Sequence, residues 1–164
     1  MRFKYTVLYI ALIVAVNVAF KYVPPVALPG GTLWPPVSLA VGFVFVLRDF
    51  AQREIGHKVL LAMLIGAALS YALVDAQIAT ASAAAFLVSE LADWAVYTYT
   101  KRPLSQRILF SSVLGAPLDS LVFLGGIGFL SAAGVIAMTI SKLVGAVIVW
   151  WLMRRRETAA AGAG

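Results

Sequence analysis

Two opposite charges stand inside stretches that otherwise read as hydrocarbon: Asp119 in the apolar run 108–130 and Lys142 midway along 130–153. Glu90 and Asp93 lie within a third run, 77–99. A charged side chain facing lipid is penalised by several kcal/mol, so each of these groups must face a protein interior. That requirement shapes the fold more than any local propensity, because it calls for helices that are apolar outside and polar inside. With 62% hydrophobic residues, 12% charged residues and a mean hydropathy of +0.95, the chain lies outside the range of soluble globular domains.

A spanning helix takes roughly 20 mostly apolar residues. Six runs approach that length: 5–23, 33–47, 58–74, 77–99, 108–130 and 130–153. The second is short. It either begins as a broken helix behind Trp34-Pro35-Pro36, whose prolines suit a helix start, or continues through 48–55 as an amphipathic turn-out. The first run follows Arg2 and Lys4, but it is too long for a signal-peptide core and lacks a clear small-residue cleavage site, so it reads as a span. Basic residues then mark every second connection: Arg48, Arg53 and Lys58, then Lys101, Arg102 and Arg107, then Arg154, Arg155 and Arg156. The alternate connections hold Lys21 and Asp75. The positive-inside rule therefore places both termini in the cytoplasm and gives an even number of spans.

The expected architecture is all-α: a polytopic six-helix transmembrane bundle over residues 1–156 and a mobile Ala/Gly-rich tail over 157–164. The connection 23–36, with Pro24-Pro25, Pro29-Gly30-Gly31 and Trp34, is expected to form an aromatic interfacial lid on the outer side. The net charge of +6 follows the topology and does not form one patch, so the lipid bilayer is the expected partner and nucleic acid is not. Cys is absent and His57 is the one histidine, which excludes thiolate metal sites and leaves no cofactor or metal expected.

The charges fall on helical stripes. Along the fourth run Ser82, Phe86, Glu90, Asp93 and Tyr97 recur at steps of three or four, so carboxylates and aromatics share one wall. Such a wall offers hydrogen-bond acceptors and a stacking surface; alternatively, Asp93 lies near the cytoplasmic interface and pairs with Lys101 or Arg102. Ser112, Gly115, Asp119 and Phe123 form a second stripe, with Pro117 close enough to bend the axis. Gly134, Met138, Lys142 and Ala146 form a third. Asp119 lies about 16 Å along its helix and Lys142 about 18 Å, so they share a depth. Either they form a structural ion pair or they line a pocket, and one pair can do both. In the second run Ser38, Gly42, Phe45, Asp49 and Gln52 share a face, while Arg48 and Glu54 read equally well as a solvated charge cluster. Ala11, Ala15 and Ala19 make a small-residue ridge suited to close packing, within the chain or against a partner subunit.

Four blocks now carry a resemblance: Gly42-Phe-Val-Phe-Val-Leu-Arg48-Asp49-Phe-Ala-Gln52-Arg53-Glu54-Ile-Gly56, Gln77-Ile-Ala-Thr80-Ala-Ser82 continuing to Glu90 and Asp93, Leu114-Gly-Ala-Pro-Leu-Asp119-Ser120, and Lys142. Together they resemble the vitamin uptake transporter-like queuosine-precursor transporters, small multi-pass proteins of the bacterial inner membrane. The resemblance implies a six-helix bundle like the substrate-binding subunits of energy-coupling-factor vitamin importers. It also implies a deazapurine substrate: 7-cyano- or 7-aminomethyl-7-deazaguanine, or queuine. Some relatives carry an amide where this chain has Glu90.

A guanine-like ring suits the residue types at hand. Its adjacent N–H donors match one carboxylate, its carbonyl matches a cation or amide, and its face stacks on an aromatic ring. The expected substrate-binding residues are thus Glu90, Asp119, Lys142, Asp93, Phe86, Phe45, Asp49, Gln52 and Ser82. A rival reading makes the chain the binding subunit of an energy-coupling-factor importer, docking an ATPase module through the alanine ridge; a homo-oligomer is also open. An enzyme is not expected. Asp75 and Asp119 map to different depths and cannot form a dyad, and no G-x-S-x-G or H-E-x-x-H motif occurs.

Overall fold

Prolines, caps and one glycine set the element ends. The computed structural model describes residues 3–29, 31–100 and 103–161. Helix α1 is Lys4–Tyr22. Strands β1, Val26–Ala27, and β2, Leu33–Trp34, pair antiparallel with Val26 opposite Trp34. Helix α2, Ser38–Ile55, starts directly after Pro35 and Pro36. It stops at Gly56, whose φ of 63° suits a residue without Cβ, and a 3-10 turn, Gly56–Lys58, leads into α3, Val59–Leu73. Asp75 caps α4, Ala76–Tyr99, by accepting from the Gln77 N–H at 3.0 Å. Pro103 precedes α5, Leu104–Gly126, and Ser131 accepts from the Gly134 N–H at 3.0 Å at the start of α6, Ala132–Ala161. The N-terminus of α1 is capped from a distance: Glu54 of α2 accepts from the Thr6 N–H at 2.8 Å and the Thr6 hydroxyl at 2.7 Å.

The second helix realises both alternatives for its ends. It begins behind Trp34-Pro35-Pro36, because Leu33 and Trp34 are committed to the hairpin, and it continues through 48–55, not as a turn-out but with Arg48, Asp49 and Gln52 carried inward on one continuous helix. At the other end α6 runs into the segment expected to be a tail, and residues 162–164 lie outside those described.

Each helix packs on two neighbours, giving the ring order α1, α2, α6, α5, α4, α3 and back to α1, with α2 also touching α5 across the interior. The ring is inverted relative to a soluble protein. Outside lie Val7, Leu61, Leu69, Leu114, Ile136 and Ile140, each about half exposed, whereas Arg48, Asp49, Glu90, Asp93, Asp119 and Lys142 are all buried. Such a surface is suited to lipid. Four helical stretches among the described residues are long and apolar enough to cross a membrane: Lys4–Tyr22, Ser38–Leu73 (α2 and α3 together), Leu104–Gly126 and Ala132–Arg155. Helix α4 is 24 residues long but carries Glu90 and Asp93, and it is not among them.

Glycines bring two pairs of helices into backbone contact. A Cβ on Gly42 of α2 would overlap the main-chain carbonyl of Lys142 on α6, and one on Gly145 would meet Gly42 at 3.1 Å. Likewise, Gly115 of α5 lies against the Asp93 carboxylate of α4, and Gly126 lies against Ala81. These contacts fix the spacing of α2 on α6 and of α4 on α5.

Candidate functional site

Arg48 is the hub of the interior. Its side chain, fully buried, projects from the middle of α2 into a group of three carboxylates. Nη1 donates to Asp49 Oδ1 at 2.5 Å, and Nη2 donates to the main-chain carbonyl of Glu90 at 3.4 Å. Nε lies 3.1 Å from Glu90 Oε2, close enough for an ion pair though not aligned for a hydrogen bond. Glu90 Oε2 also accepts from the Tyr9 hydroxyl of α1 at 3.0 Å, and Asp49 Oδ2 accepts from Ser111 of α5 at 3.0 Å. Four helices thus meet at one guanidinium. Asp93, one turn beyond Glu90, is fully buried yet both its carboxylate oxygens lack a hydrogen-bond partner among the described residues, as does Glu90 Oε1.

The second ionic group is self-contained. Lys142 of α6 donates to Asp119 of α5, and to Ser120 Oγ at 2.9 Å. Here one cation meets one carboxylate, and a hydroxyl uses a further ammonium proton. Pro117 sits two residues before Asp119 inside α5, where its missing N–H removes one rung of the helix ladder. A third polar group joins α1, α3 and α4: Ser82 donates to Asn17 Oδ1, and Asn17 Nδ2 donates to Ser70 Oγ at 3.1 Å and to the Ile13 carbonyl at 3.0 Å.

The residues singled out from sequence divide among these groups. Glu90, Asp93 and Asp49 gather on Arg48, while Asp119 pairs with Lys142. Phe45 and Phe86 belong to the apolar cluster that also holds Tyr9 and Ala116, so both rings lie within the same interior. Gln52 is buried and donates to Thr98 at 3.2 Å, with its Oε1 unpartnered. Ser82 lies on the Glu90 stripe but spends its hydroxyl on Asn17. Lys101 and Arg102, the alternative partners for Asp93, lie outside the described residues. Sequence reasoning left Arg48 open between a solvated charge cluster and a functional role, and gave no role to Tyr9, Asn17, Ser111 or Ser120. Asn17 was visible as a lone amide in an apolar run, and Tyr9 and Ile13 share its stripe. His57 accepts from Trp94 Nε1 at 2.9 Å at an exposed position near the end of α2. Ala11 and Ala15 face outward from the bundle.

A cavity of about 330 Å³ lies under the hairpin, lined among others by Phe20, Leu33, Pro35, Asp75, Gln77 and Phe123. Its size suits a small organic molecule. The hairpin that covers it is tied to α6 by Trp34, whose Nε1 donates to Ser141 Oγ at 2.8 Å, next to Lys142. Connection 23–36 is thus a folded cover, with Gly30 outside the described residues.

No curated protein and no solved structure matches the chain. Residues 39–155, well over half of it, match the family model described as "Putative vitamin uptake transporter". That match takes in the Arg48 group apart from Tyr9 and the whole of the Lys142 pair, and with a bundle whose charges face inward and whose apolar side chains face out, the chain belongs to the vitamin uptake transporter family and is an integral membrane protein.

Proposed function

We propose that this protein is a multi-pass transporter of the bacterial inner membrane that imports deazapurine precursors of queuosine, working as a six-span bundle with both termini in the cytoplasm. The observation that carries the reading is a buried acceptor wall on α4 and α5 beside aromatic rings: Glu90 and Asp119 are buried carboxylates, Glu90 Oε1 has no hydrogen-bond partner among the described residues, and Phe45 and Phe86 belong to the adjoining apolar cluster. A 7-deazaguanine ring brings adjacent N–H donors to such a wall and a flat face to such rings. In this reading Glu90 and Asp119 accept from the N–H groups of the ring, Lys142 donates to its carbonyl, and Asp49 and Gln52 hold Arg48 and the end of α4 in place. The cavity under the hairpin serves as the entry, and α2 and α6 part from α4 and α5 to admit the substrate.

The test is uptake of labelled 7-cyano- and 7-aminomethyl-7-deazaguanine in a queuosine-auxotrophic host carrying only this transporter, read as modified tRNA. Glu90→Ala and Asp119→Ala should each abolish modification while the protein still inserts. Wild-type affinity in both purified variants would remove these carboxylates from the site. One observation favours a second reading, the binding subunit of an ATPase-driven importer: Ala11 and Ala15 present a small-residue face to the outside of the bundle. Co-purification of ATPase subunits with the chain would establish that reading.

A further inference from the structure

Arg48 turns its hydrogen bonds to partners other than Asp93. Nη1 serves Asp49, Nη2 serves the Glu90 carbonyl, and Nε faces Glu90 Oε2. Three buried carboxylates therefore gather on the Arg48 guanidinium, with the Arg107 charge also acting on Asp49, and the one whose oxygens both lack a hydrogen-bond partner among the described residues is Asp93, fully buried. An uncompensated carboxylate in such an interior is strongly destabilising. Something must neutralise it.

The surroundings limit what that can be. Gly115 brings the α5 backbone against the Asp93 carboxylate so closely that even a Cβ there would overlap Oδ1. The cavity under the hairpin has no Asp93 in its lining. Nor do any three His, Cys, Asp or Glu side chains among the described residues form a group fit to hold a metal ion. A site this tight admits a proton more readily than a hydrated cation. Ser112, one turn before Gly115 on the same face of α5, is buried with its hydroxyl unpartnered, so a polar group is at hand on the facing helix.

The ionisable groups facing Asp93 are few. From α2 come Arg48 and Asp49, from α1 Tyr9, from α4 itself Glu90, and from α5 Asp119, with Tyr97 and Arg107 beyond them beside Asp49. Lys142 of α6 is held by Asp119, Tyr71 of α3 is exposed, and His57 of the 3-10 turn is held by Trp94. Tyr97, one turn further along α4, packs between Arg48 and Arg107, with its ring centre 6.0 and 5.0 Å from the two guanidinium carbons. Asp93 thus sits between the basic end of the bundle and Glu90.

We propose that Asp93 is the seat of a coupling proton: its carboxylate takes up a proton on one side of the membrane and releases it on the other, one for each substrate imported. In each cycle one O–H bond forms and the same bond breaks, with no change of oxidation state. Imported substrate is then driven by the proton gradient, although no nucleotide-binding loop is needed or present in the sequence. This deepens the transporter reading above and rests on it.

The experiment uses the full-length purified chain in two ways. In proteoliposomes, labelled 7-cyano-7-deazaguanine, which is uncharged, is offered with and without an inside-alkaline gradient of about one pH unit. One proton per substrate predicts about tenfold accumulation in the wild type. Asp93→Asn should show no gain from the gradient, at whatever rate of uptake remains. Independently of any substrate, infrared difference spectra of the wild type at neutral pH should contain the carbonyl stretch of a protonated carboxylic acid, absent from Asp93→Asn. Accumulation in Asp93→Asn that still follows the gradient, or an acid band unchanged by the substitution, would overturn the proposal. If the wild type takes up no deazapurine, the substrate reading fails and the infrared band alone supports or overturns the proton site.

Discussion

The two ionic groups of the interior differ in how they are balanced. Lys142 and Asp119 form a one-to-one pair whose spare donor is used by Ser120. Around Arg48, one cation is set against Asp49, Glu90 and Asp93, with Tyr9 and Ser111 supplying extra donors to two of the three. A balanced buried pair contributes little net stability but is expensive to break from one side. An unbalanced group behaves differently, since removing its central cation strands several carboxylates at once. The comparison sets a closed pair against an open cluster within the same bundle.

Removing the hub should give the largest effect. Arg48→Met leaves three carboxylates around an apolar side chain, and we expect a loss of at least about 3–5 kcal/mol, the range for orphaning one partner of a buried pair. Detergent-solubilised protein should appear aggregated on size exclusion; a monodisperse variant with wild-type thermal unfolding would show that the carboxylates do not depend on Arg48. The pair should break and heal more simply. Lys142→Met alone should cost about 3–5 kcal/mol, and adding Asp119→Leu should restore thermal stability to within about 1 kcal/mol. Precursor uptake should stay lost in that double variant, and its full recovery would reduce the pair to a structural role. The smallest effect belongs to the contact beside Asp93. Gly115→Ala should cost about 1–3 kcal/mol through overpacking, and Asp93→Ala in the same chain should relieve most of it, because the clash is with that carboxylate. An additive double-mutant cycle in thermal unfolding would place Asp93 away from Gly115.

The inward faces were legible in the sequence because hydrocarbon leaves no alternative for a charge. All five residues of the α4 stripe, Ser82, Phe86, Glu90, Asp93 and Tyr97, are buried, and so are Gly115, Asp119 and Lys142. The depth argument paired Asp119 with Lys142 because helical rise converts position into height. Arg48 was not legible in the same way. It sits in the string Arg48-Asp49-Phe-Ala-Gln52-Arg53-Glu54, whose charge density reads as a solvated helix end, and only the packing of α1 and α4 turns its first members inward while Arg53 stays exposed. The hairpin was hidden for another reason: Leu33 and Trp34 extend an apolar run, and composition alone does not tell two residues of strand from the start of a helix. The hydroxyls of Ser111 and Ser120 gain their roles from neighbours far away in sequence.

The glycine contacts give the charges a mechanical arrangement. Gly42 and Gly145 lock α2 to α6, so Arg48 and Lys142, the two buried cations, ride on one pair of helices. Gly115 and Gly126 lock α5 to α4, and that pair carries Glu90, Asp93 and Asp119, three of the four buried carboxylates. The bundle is thus built like a charged capacitor, positive on one plate and negative on the other. Separating such plates in a medium of low permittivity takes electrical work that grows with the gap. A species that enters the gap with its own charge or dipole lowers that work, while the glycine contacts keep each plate in one piece.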